Sequence, residues 1–283
     1  MSFEGKVVWV TGASSGIGEA LANAFFKQGA YLILSGRRVA ELERVAAAAP
    51  ERALVLPFET TDYDALPQYV EQAWGWRGKI DVLINNAGVS QRSLALDTKL
   101  DVYRQLIEVD YLAPLALTQL VLPRMVEQRS GHVAVISSVA GKVGTPLRTG
   151  YCGAKHAVIG YFDGLRAEVE AAYGIKVSVI LPGSVQTSVA VNALVGDGSS
   201  RGRSDANIDN GMPVETAAQI IVSGMAEGKR EIPVAEGKEL AALNFRTQDP
   251  ERLFDMLAKE GARLAGLREA GGSTDPSDIR SER

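Results

Sequence analysis

Short apolar runs rich in β-branched residues recur along this chain and alternate with longer segments of helical periodicity. The runs are KVVWVTG (6–12), AYLILSG (30–36), ALVLP (53–57), IDVLINN (80–86), HVAVISS (132–138) and IKVSVILPG (175–183), with a further one at REIPVAE (230–236). Each is too short to cross a membrane as a helix. The first six lack the polar–apolar alternation of a half-exposed strand, so each of those predicts a strand buried on both faces. Helical patterning falls between them, at 16–28, 38–49, 62–76, 98–127, 150–172 and 213–227. Strand, helix, strand at this spacing predicts βαβ units on one parallel sheet. The expected fold is α/β, a single doubly wound domain whose parallel sheet has about seven strands with helices on both faces.

No polar linker interrupts the alternation before residue 188, so one domain is expected over 1–269. Residues 188–212 begin with the apolar SVAVNALV and turn polar and glycine-rich, which predicts a substrate lid. Residues 270–283 are short of apolar side chains and predict a flexible tail. With 34 acidic against 30 basic residues the net charge is −4, which gives no reason to expect a nucleic-acid partner. A single cysteine, Cys152, permits no internal disulfide and suits a reducing, cytoplasmic setting. Cysteine and histidine occur only at 132, 152 and 156, a spacing that builds no metal site. No run of about 18 apolar residues stands out, and no basic then apolar leader opens the chain, so neither a membrane span nor a signal peptide is expected.

VTGASSGIGEA (10–20) leaves the first strand and opens the first helix. Gly12 allows a tight turn, Gly16 lets backbone approach a pyrophosphate, and Gly18 lets helix and strand pack closely. With Ser14, Ser15 and Ile17 they form a loop whose N–H groups face a phosphate at the helix N-terminus. The spacing is G-x-x-x-G-x-G, and glycines at such a turn also serve the turn alone. Gly12, Ser14 and Gly16 also match G-x-S-x-G, a hydrolase nucleophile elbow, but that reading needs a downstream acid and then a histidine. Only His132 and His156 are available, one entering a strand and the other beside Lys155. The second strand ends LSGRR: an acid that would hold a ribose 2′-OH is missing, and Arg37 with Arg38 favours a 2′-phosphate, hence NADP(H) over NAD(H).

Tyr151 and Lys155 lie four residues apart on one helical face, and Ser138 precedes the tyrosine by thirteen. A phenol alone holds its proton well above neutrality, and an ammonium one turn away favours the phenolate. The three can then protonate a carbonyl oxygen and stabilise its charge. Ser137 is the fallback for Ser138. Cys152 reads as a small buried filler and His156 as a helix-surface residue. Gly153, Ala157, Gly160, Gly164 and Ala167 form a small-residue stripe, which either packs on the chain's own sheet or meets a second copy.

TGASSGIG, NNAG (85–88), Ser138 with YCGAK (151–155), and PGSVQT (182–187) stand in this order. Together they resemble the classical short-chain dehydrogenase/reductase family, over residues 5–235. The stretch NNAGVSQRSLALDTKLDVYRQLIE is similar to its dehydrogenase/reductase member 7 branch, near the hydroxysteroid dehydrogenases. Relatives there often carry an N-terminal membrane anchor, which this chain, opening at MSFEGKVVWVTG, is expected to lack. The resemblance implies a Rossmann fold and hydride transfer between nicotinamide and a carbonyl or secondary alcohol. Tyr151 would be the general acid or base, Lys155 would bind the nicotinamide ribose, and Ser138 would bond the reacting oxygen. Asn86, Ala87 and Gly88 would support the adenine-ribose side. Pro182, Gly183, Val185 and Thr187 would hold the carboxamide. Glu59 stands where relatives place an aspartate toward adenine. Asp110 replaces an asparagine that helps hold a relay water; a carboxylate accepts hydrogen bonds but donates none, which implies an altered relay and pH dependence. A homodimer or homotetramer is implied.

Val189, Val191, Ala193, Leu194 and Val195, with Val139, Val143, Leu147 and Val89, predict an apolar pocket for a bulky ketone or alcohol. Arg148, Arg201 and Arg203 could instead meet an anionic group. The rival reading is a dinucleotide-binding sensor or scaffold with impaired catalysis, which Asp110 supports.

Overall fold

The inner apolar runs become strands because both of their faces find a helical layer, while the two edge strands, at 53–55 and 231–234, are only partly enclosed. The computed structural model describes residues 2–275 and 277–278. The strands are β1 (Val7–Thr11), β2 (Tyr31–Ser35), β3 (Ala53–Val55), β4 (Val82–Asn85), β5 (Gly131–Ile136), β6 (Ile175–Pro182) and β7 (Glu231–Val234). All neighbours pair in parallel, in the order β3-β2-β1-β4-β5-β6-β7. The order reverses between β1 and β4, which opens a crevice at the carboxyl ends of the strands.

Strand periodicity divides β1 between two cores. Val8 and Val10 join Leu21, Phe25, Ala217 and Ile221 on one face, beneath α1 (Gly16–Lys27) and α8 (Val214–Ala226). Val7 and Trp9 face the other, with Leu66 and Val70 of α3 (Leu66–Arg77), Leu117 and Val121 of α5 (Ala113–Glu127), and Phe162 of α6 (Thr149–Tyr173). Phe162 is fully buried, so truncating it to alanine would cost about 3–5 kcal/mol. Helix α2 (Val39–Ala46) follows β2.

The segment expected to be one helix over 98–127 is two: α4 (Leu100–Ile107) and α5, joined by a single wide π-type turn at Glu108–Leu112. As a whole, Leu100–Glu127 is long and apolar enough to span a bilayer, a stretch that sequence reading did not pick out. Here Val102, Leu106, Leu117, Val121 and Met125 are buried within the domain.

Beyond β7 the chain adds α9 (Gly237–Gln248) and α10 (Pro250–Glu269), preceded in the lid region by the one-turn α7 (Ala206–Asp209). Sequence patterning did not separate α9 and α10, because α9 buries no residue fully and α10 buries only Leu253 and Leu264. Of the segment expected to be a tail, residues 276 and 279–283 lie outside the described residues. The described part folds back on the lid region. Asp275 takes a bidentate bond from Arg201 (2.5 and 2.8 Å), Asp278 takes one from Arg203 (2.7 and 2.8 Å), and Ser277 donates to the Ser204 carbonyl (2.7 Å).

Candidate active site

The glycine loop leaves β1 with two glycines in the left-handed region, Gly12 at φ 65° and Gly16 at φ 57°, where other residues are strained. A Cβ on Gly12 would lie 2.9 Å from both Ala87 Cα and the Asn86 side chain, and one on Gly18 would lie 2.3 Å from the Gly12 carbonyl oxygen. Gly18 thus serves close packing, as its position predicts. Asn86 locks the loop to β4: its Nδ2 donates to the carbonyls of Thr11 (2.9 Å) and Gly12 (3.2 Å), and the Thr11 hydroxyl accepts from the Asn86 and Ala87 amides (3.0 and 3.1 Å). Gly16 faces Thr187, whose Cγ2 would be 3.1 Å from a Cβ there. No side chain caps the N-terminus of α1. Its first N–H groups therefore keep their capacity for an external acceptor, which fits a dinucleotide pyrophosphate.

Arg38 arches back over this loop and donates from Nη2 to Ser14 Oγ (3.0 Å) and Ser15 Oγ (2.6 Å). Arg37 instead points outward to Glu59 at 3.5 Å, so the two arginines are not equivalent. Ser35 is spent on Trp9, accepting from its Nε1 at 2.8 Å. Ser14 has Arg38 for a neighbour and no base. His132 is buried at the start of β5, bonded to Ser178 Oγ at 2.8 Å, and His156 sits on the surface of α6 with its Nδ1 2.8 Å from the Cys152 carbonyl. The elbow therefore has no hydrolase geometry. Among the described residues no group of side chains could hold a metal ion.

Ser138, Tyr151, Lys155 and Asp110 meet where β4, β5 and β6 end. Lys155 is buried; its Nζ donates to the Ile136 carbonyl (3.0 Å), lies 3.4 Å from Asp110 Oδ1 and stands 5.7 Å from the centre of the Tyr151 ring. Asp110 projects from the wide turn between α4 and α5; its Oδ1 also accepts from the Val89 amide (3.0 Å), while the buried Oδ2 has no hydrogen-bond partner. Burial pushes this carboxyl above the usual carboxylate range, with the Lys155 charge and the Val89 N–H opposing in part. Gly88 must be glycine here, since a Cβ would lie 2.7 Å from Asp110 Oδ1. Ser138 follows β5 directly; its hydroxyl donates to the Pro182 carbonyl (3.2 Å) and accepts from the Ala140 amide (3.0 Å). Ser137, the fallback, is buried and donates to the Lys155 carbonyl (3.0 Å), which commits it to holding α6. Cys152 is buried, as a filler should be.

The expected apolar pocket divides in two. Val89 and Tyr151 pack with Leu194, Val102, Leu106 and Ala154. Val139 and Val143 pack instead with Leu253, Leu243 and Leu257 beneath the C-terminal helices, because α9 and α10 cover that side. Leu147, between the two, is held at φ 65°, a conformation costing a non-glycine residue about 1–2 kcal/mol. Arg201 and Arg203 are occupied by Asp205, Asp275 and Asp278, so of the three arginines that could greet an anion only Arg148 has no ion pair among the described residues.

Sequence reading missed Gln91, Arg92 and Asp205. Arg92 Nε donates to Asp205 Oδ2 at 3.0 Å across 113 positions of chain, with both side chains at most 2% exposed. Burial, then the nearby Arg148 charge, pushes the Arg92 guanidinium down to about 10, against the opposing pull of Asp205 and Tyr151. No local pattern announces a contact over that separation. The only signal was a charged residue inside an otherwise small and polar SQRS.

A phosphate-binding loop at the end of the first strand, with a tyrosine and a lysine one helical turn apart at the ends of the fourth to sixth, defines a nicotinamide-dependent oxidoreductase. Residues 6–195 match the short chain dehydrogenase family model, and the chain belongs to that family, whose members transfer hydride between a nicotinamide dinucleotide and a CH–OH or C=O carbon. It is 43% identical over 240 residues to human dehydrogenase/reductase SDR family member 7, covering 81% of this chain and 70% of that protein. The crystal structure of a short-chain dehydrogenase/reductase from Burkholderia phymatum in complex with NAD has a TM-score of 0.79 at 22% identity, covering 89% of this chain and 96% of that one. One from Burkholderia cenocepacia J2315 in complex with NADP has a TM-score of 0.77 at 22% identity, covering 91% and 99%.

Proposed function

We propose that this protein is an NADP(H)-dependent oxidoreductase interconverting a bulky apolar carbonyl compound and its secondary alcohol, with Ser138, Tyr151 and Lys155 as its catalytic residues. The observation that carries this reading is Lys155 Nζ, buried 5.7 Å from the Tyr151 ring at the ends of the strands. When bound, the nicotinamide supplies or accepts the hydride. The chain's own residues handle the proton. Tyr151 delivers its phenolic proton to the substrate oxygen during reduction and takes it back during oxidation. Lys155 keeps its ammonium beside the ring, opposite the negative charge left on the tyrosine oxygen when the proton has gone. Ser138 turns its hydroxyl proton from the Pro182 carbonyl to the substrate oxygen, and the Ala140 amide holds Ser138 Oγ in place as it turns. Gly12, Ser14, Ser15, Gly16, Ile17 and Gly18 would receive the pyrophosphate, and Asn86, Ala87 and Gly88 would line the ribose side. Pro182, Gly183, Val185 and Thr187 face the carboxamide.

The preference for NADP(H) rests on Arg38, whose guanidinium spans Ser14 and Ser15 of the glycine loop and would hold an adenosine 2′-phosphate there. Leu194 and Val89, packed in one cluster with Tyr151, support an apolar substrate. A homo-oligomer is supported by the α6 stripe: Gly153, Gly160 and Gly164 are exposed, and a Cβ on any of them would meet nothing within 4 Å.

A specific observation favours a second reading, a dinucleotide sensor: Asp110 lies against Lys155 and can cancel its charge. Oxidation of NADPH against a panel of bulky and small ketones, with NADH and Tyr151→Phe in parallel, separates the two. The oxidoreductase turns over with NADPH and the variant does not. An inert wild type that binds NADPH and gains turnover through Asp110→Asn supports the sensor.

A further inference from the structure

Helix α6 begins without a cap of its own. Arg148 occupies the capping position and its side chain makes no capping bond. Its first N–H groups need acceptors, and one comes from 60 positions upstream: Gln91 Oε1 accepts from the Gly150 amide at 2.8 Å and the Tyr151 amide at 3.3 Å. Gln91 is fully buried. Its other end is fixed by a one-way chain of donors. Thr98 Oγ1 donates to the Leu94 carbonyl (2.7 Å), Ser93 Oγ lies 2.7 Å from Thr98 Oγ1, and Gln91 Nε2 donates to both hydroxyls at 3.2 Å. With those donors committed, the amide oxygen of Gln91 has one direction left, toward α6.

Two further features join the same residue to the lid and to the glycine before the tyrosine. Gly150 leaves room for the approach: a Cβ there would lie 3.1 Å from Gln91 Oε1, 2.7 Å from Tyr103 and 2.8 Å from Leu106. On the backbone, the Leu194 amide donates to the Ser90 carbonyl (2.8 Å) and the Arg92 amide to the Leu194 carbonyl (2.9 Å), an isolated parallel bridge between Gln91 and the lid. Leu194 then packs in the same apolar cluster as the Tyr151 ring. Gln91 therefore holds the catalytic helix through its side chain, while the backbone of its two neighbours, Ser90 and Arg92, pairs with Leu194.

We propose that Gln91 is a positioning residue for Tyr151, holding the first turn of α6 so that the phenol keeps its place beside Lys155 and coupling that place to the seating of Leu194. This rests on the reading of Tyr151 as the proton donor. The charged and titratable groups around the phenol are Lys155 on its own helix, Arg148 at the start of that helix, Arg92 on the Gln91 segment, Asp110 on the wide turn and Tyr103 on α4. None of these side chains is hydrogen-bonded to the Gln91 side chain, so exchanging Gln91 alone removes no charge from around the phenol.

The test compares wild type with Gln91→Met, which keeps the side chain's length and removes the cap, and Gln91→Glu, which keeps an acceptor and adds a charge. In Gln91→Met, kcat falls about 10–100-fold, the loss of roughly two helix-terminal hydrogen bonds in the transition state. The NADPH affinity stays unchanged, and amide exchange at Gly150 and Tyr151 quickens. In Gln91→Glu, kcat recovers to within about tenfold and the exchange protection of Gly150 and Tyr151 returns, because a carboxylate oxygen still accepts from both amides. A residue that only filled space would move kcat with stability and leave exchange at these two amides in step with the rest of α6. If Gln91→Met does not fold, Gln91→Leu takes its place in the same comparison. An active wild type whose kcat and exchange survive loss of the acceptor overturns the positioning role alone. A wild type inert across the ketone and alcohol panel, with NADPH bound, withdraws the proton-donor reading and this inference with it.

Discussion

Removing the carboxylate of Asp205 should loosen the 188–212 segment, expected to be the substrate lid, without melting the sheet. Asp205 Oδ2 accepts from Arg92 Nε at 3.0 Å and Arg201 Nη1 at 3.4 Å, while Oδ1 accepts from the Ile208 amide at 3.2 Å and caps α7. All three side chains at this junction are at most 2% exposed. In Asp205→Ala the Arg201 guanidinium keeps Asp275, but Arg92 keeps only the neutral Ser90 hydroxyl and Gln91 carbonyl. Leaving one member of a buried pair uncompensated costs about 3–5 kcal/mol. Asp205 lies outside both sheet cores, so that cost falls on local opening of the lid segment. By the tenfold-per-1.4 kcal/mol rule, the open fraction rises at least about 100-fold. Trypsin reads this directly, since Arg201 and Arg203 are themselves its cleavage sites and, with fast opening, cleavage tracks the open population. The expected result is cutting at these arginines at least about 100-fold faster, a raised KM for substrate, and little change in the melting of the sheet. The double substitution Arg92→Leu with Asp205→Leu removes both charges and recovers most of the protection. Cleavage of Asp205→Ala within about threefold of wild type would refute the lid role of the pair.

The other expectations concern cofactor choice and pH. Arg38→Ala raises the KM for NADPH about 10–100-fold, the equivalent of charge-assisted hydrogen bonds to a phosphate, and changes NADH kinetics little; parallel steady-state assays with the two cofactors check it. His132 is held down to about 4, by burial first and Lys176 second. With its unfolded value near 6.5, its contribution is present above about pH 6.5 and is lost as pH falls toward 4, about 3 kcal/mol in all. Urea unfolding of His132→Gln across that window should show a flatter slope. Asp110 is raised by burial, so the folded state favours its neutral form, and the stability this gives is present below the unfolded value and lost as pH rises through the folded one. Asp110→Asn should therefore melt higher than wild type at neutral pH but not in acid, which thermal melts at the two pH values check.

The architecture was legible in the chain itself. A strand covered on both faces has to be apolar throughout, so the five inner strands wrote themselves as runs; the glycine loop, Ser138, Tyr151 and Lys155 stood out by their spacing, and Asn86 by resemblance to the family. The split of 98–127 was less visible, since a π-type turn changes a helix by one residue without a composition of its own. The two C-terminal helices escaped because α9 buries no residue fully and α10 buries only two, so the periodicity that marks a core-facing helix is faint.

Tertiary structure showed how the two neighbouring hydroxyls differ: Ser137 is spent on the Lys155 carbonyl, while Ser138 donates to the Pro182 carbonyl at the end of β6. It likewise told Arg38 from Arg37, turned Arg201 and Arg203 from candidate anion ligands into partners of Asp275 and Asp278, and brought Arg92 to Asp205 and Gln91 to the start of α6. Periodicity and spacing report contacts made within a few residues, where backbone geometry fixes which side chains meet. A buried ion pair across 113 positions, or a helix cap from 60 away, depends on how elements pack, and that information is spread over the whole chain.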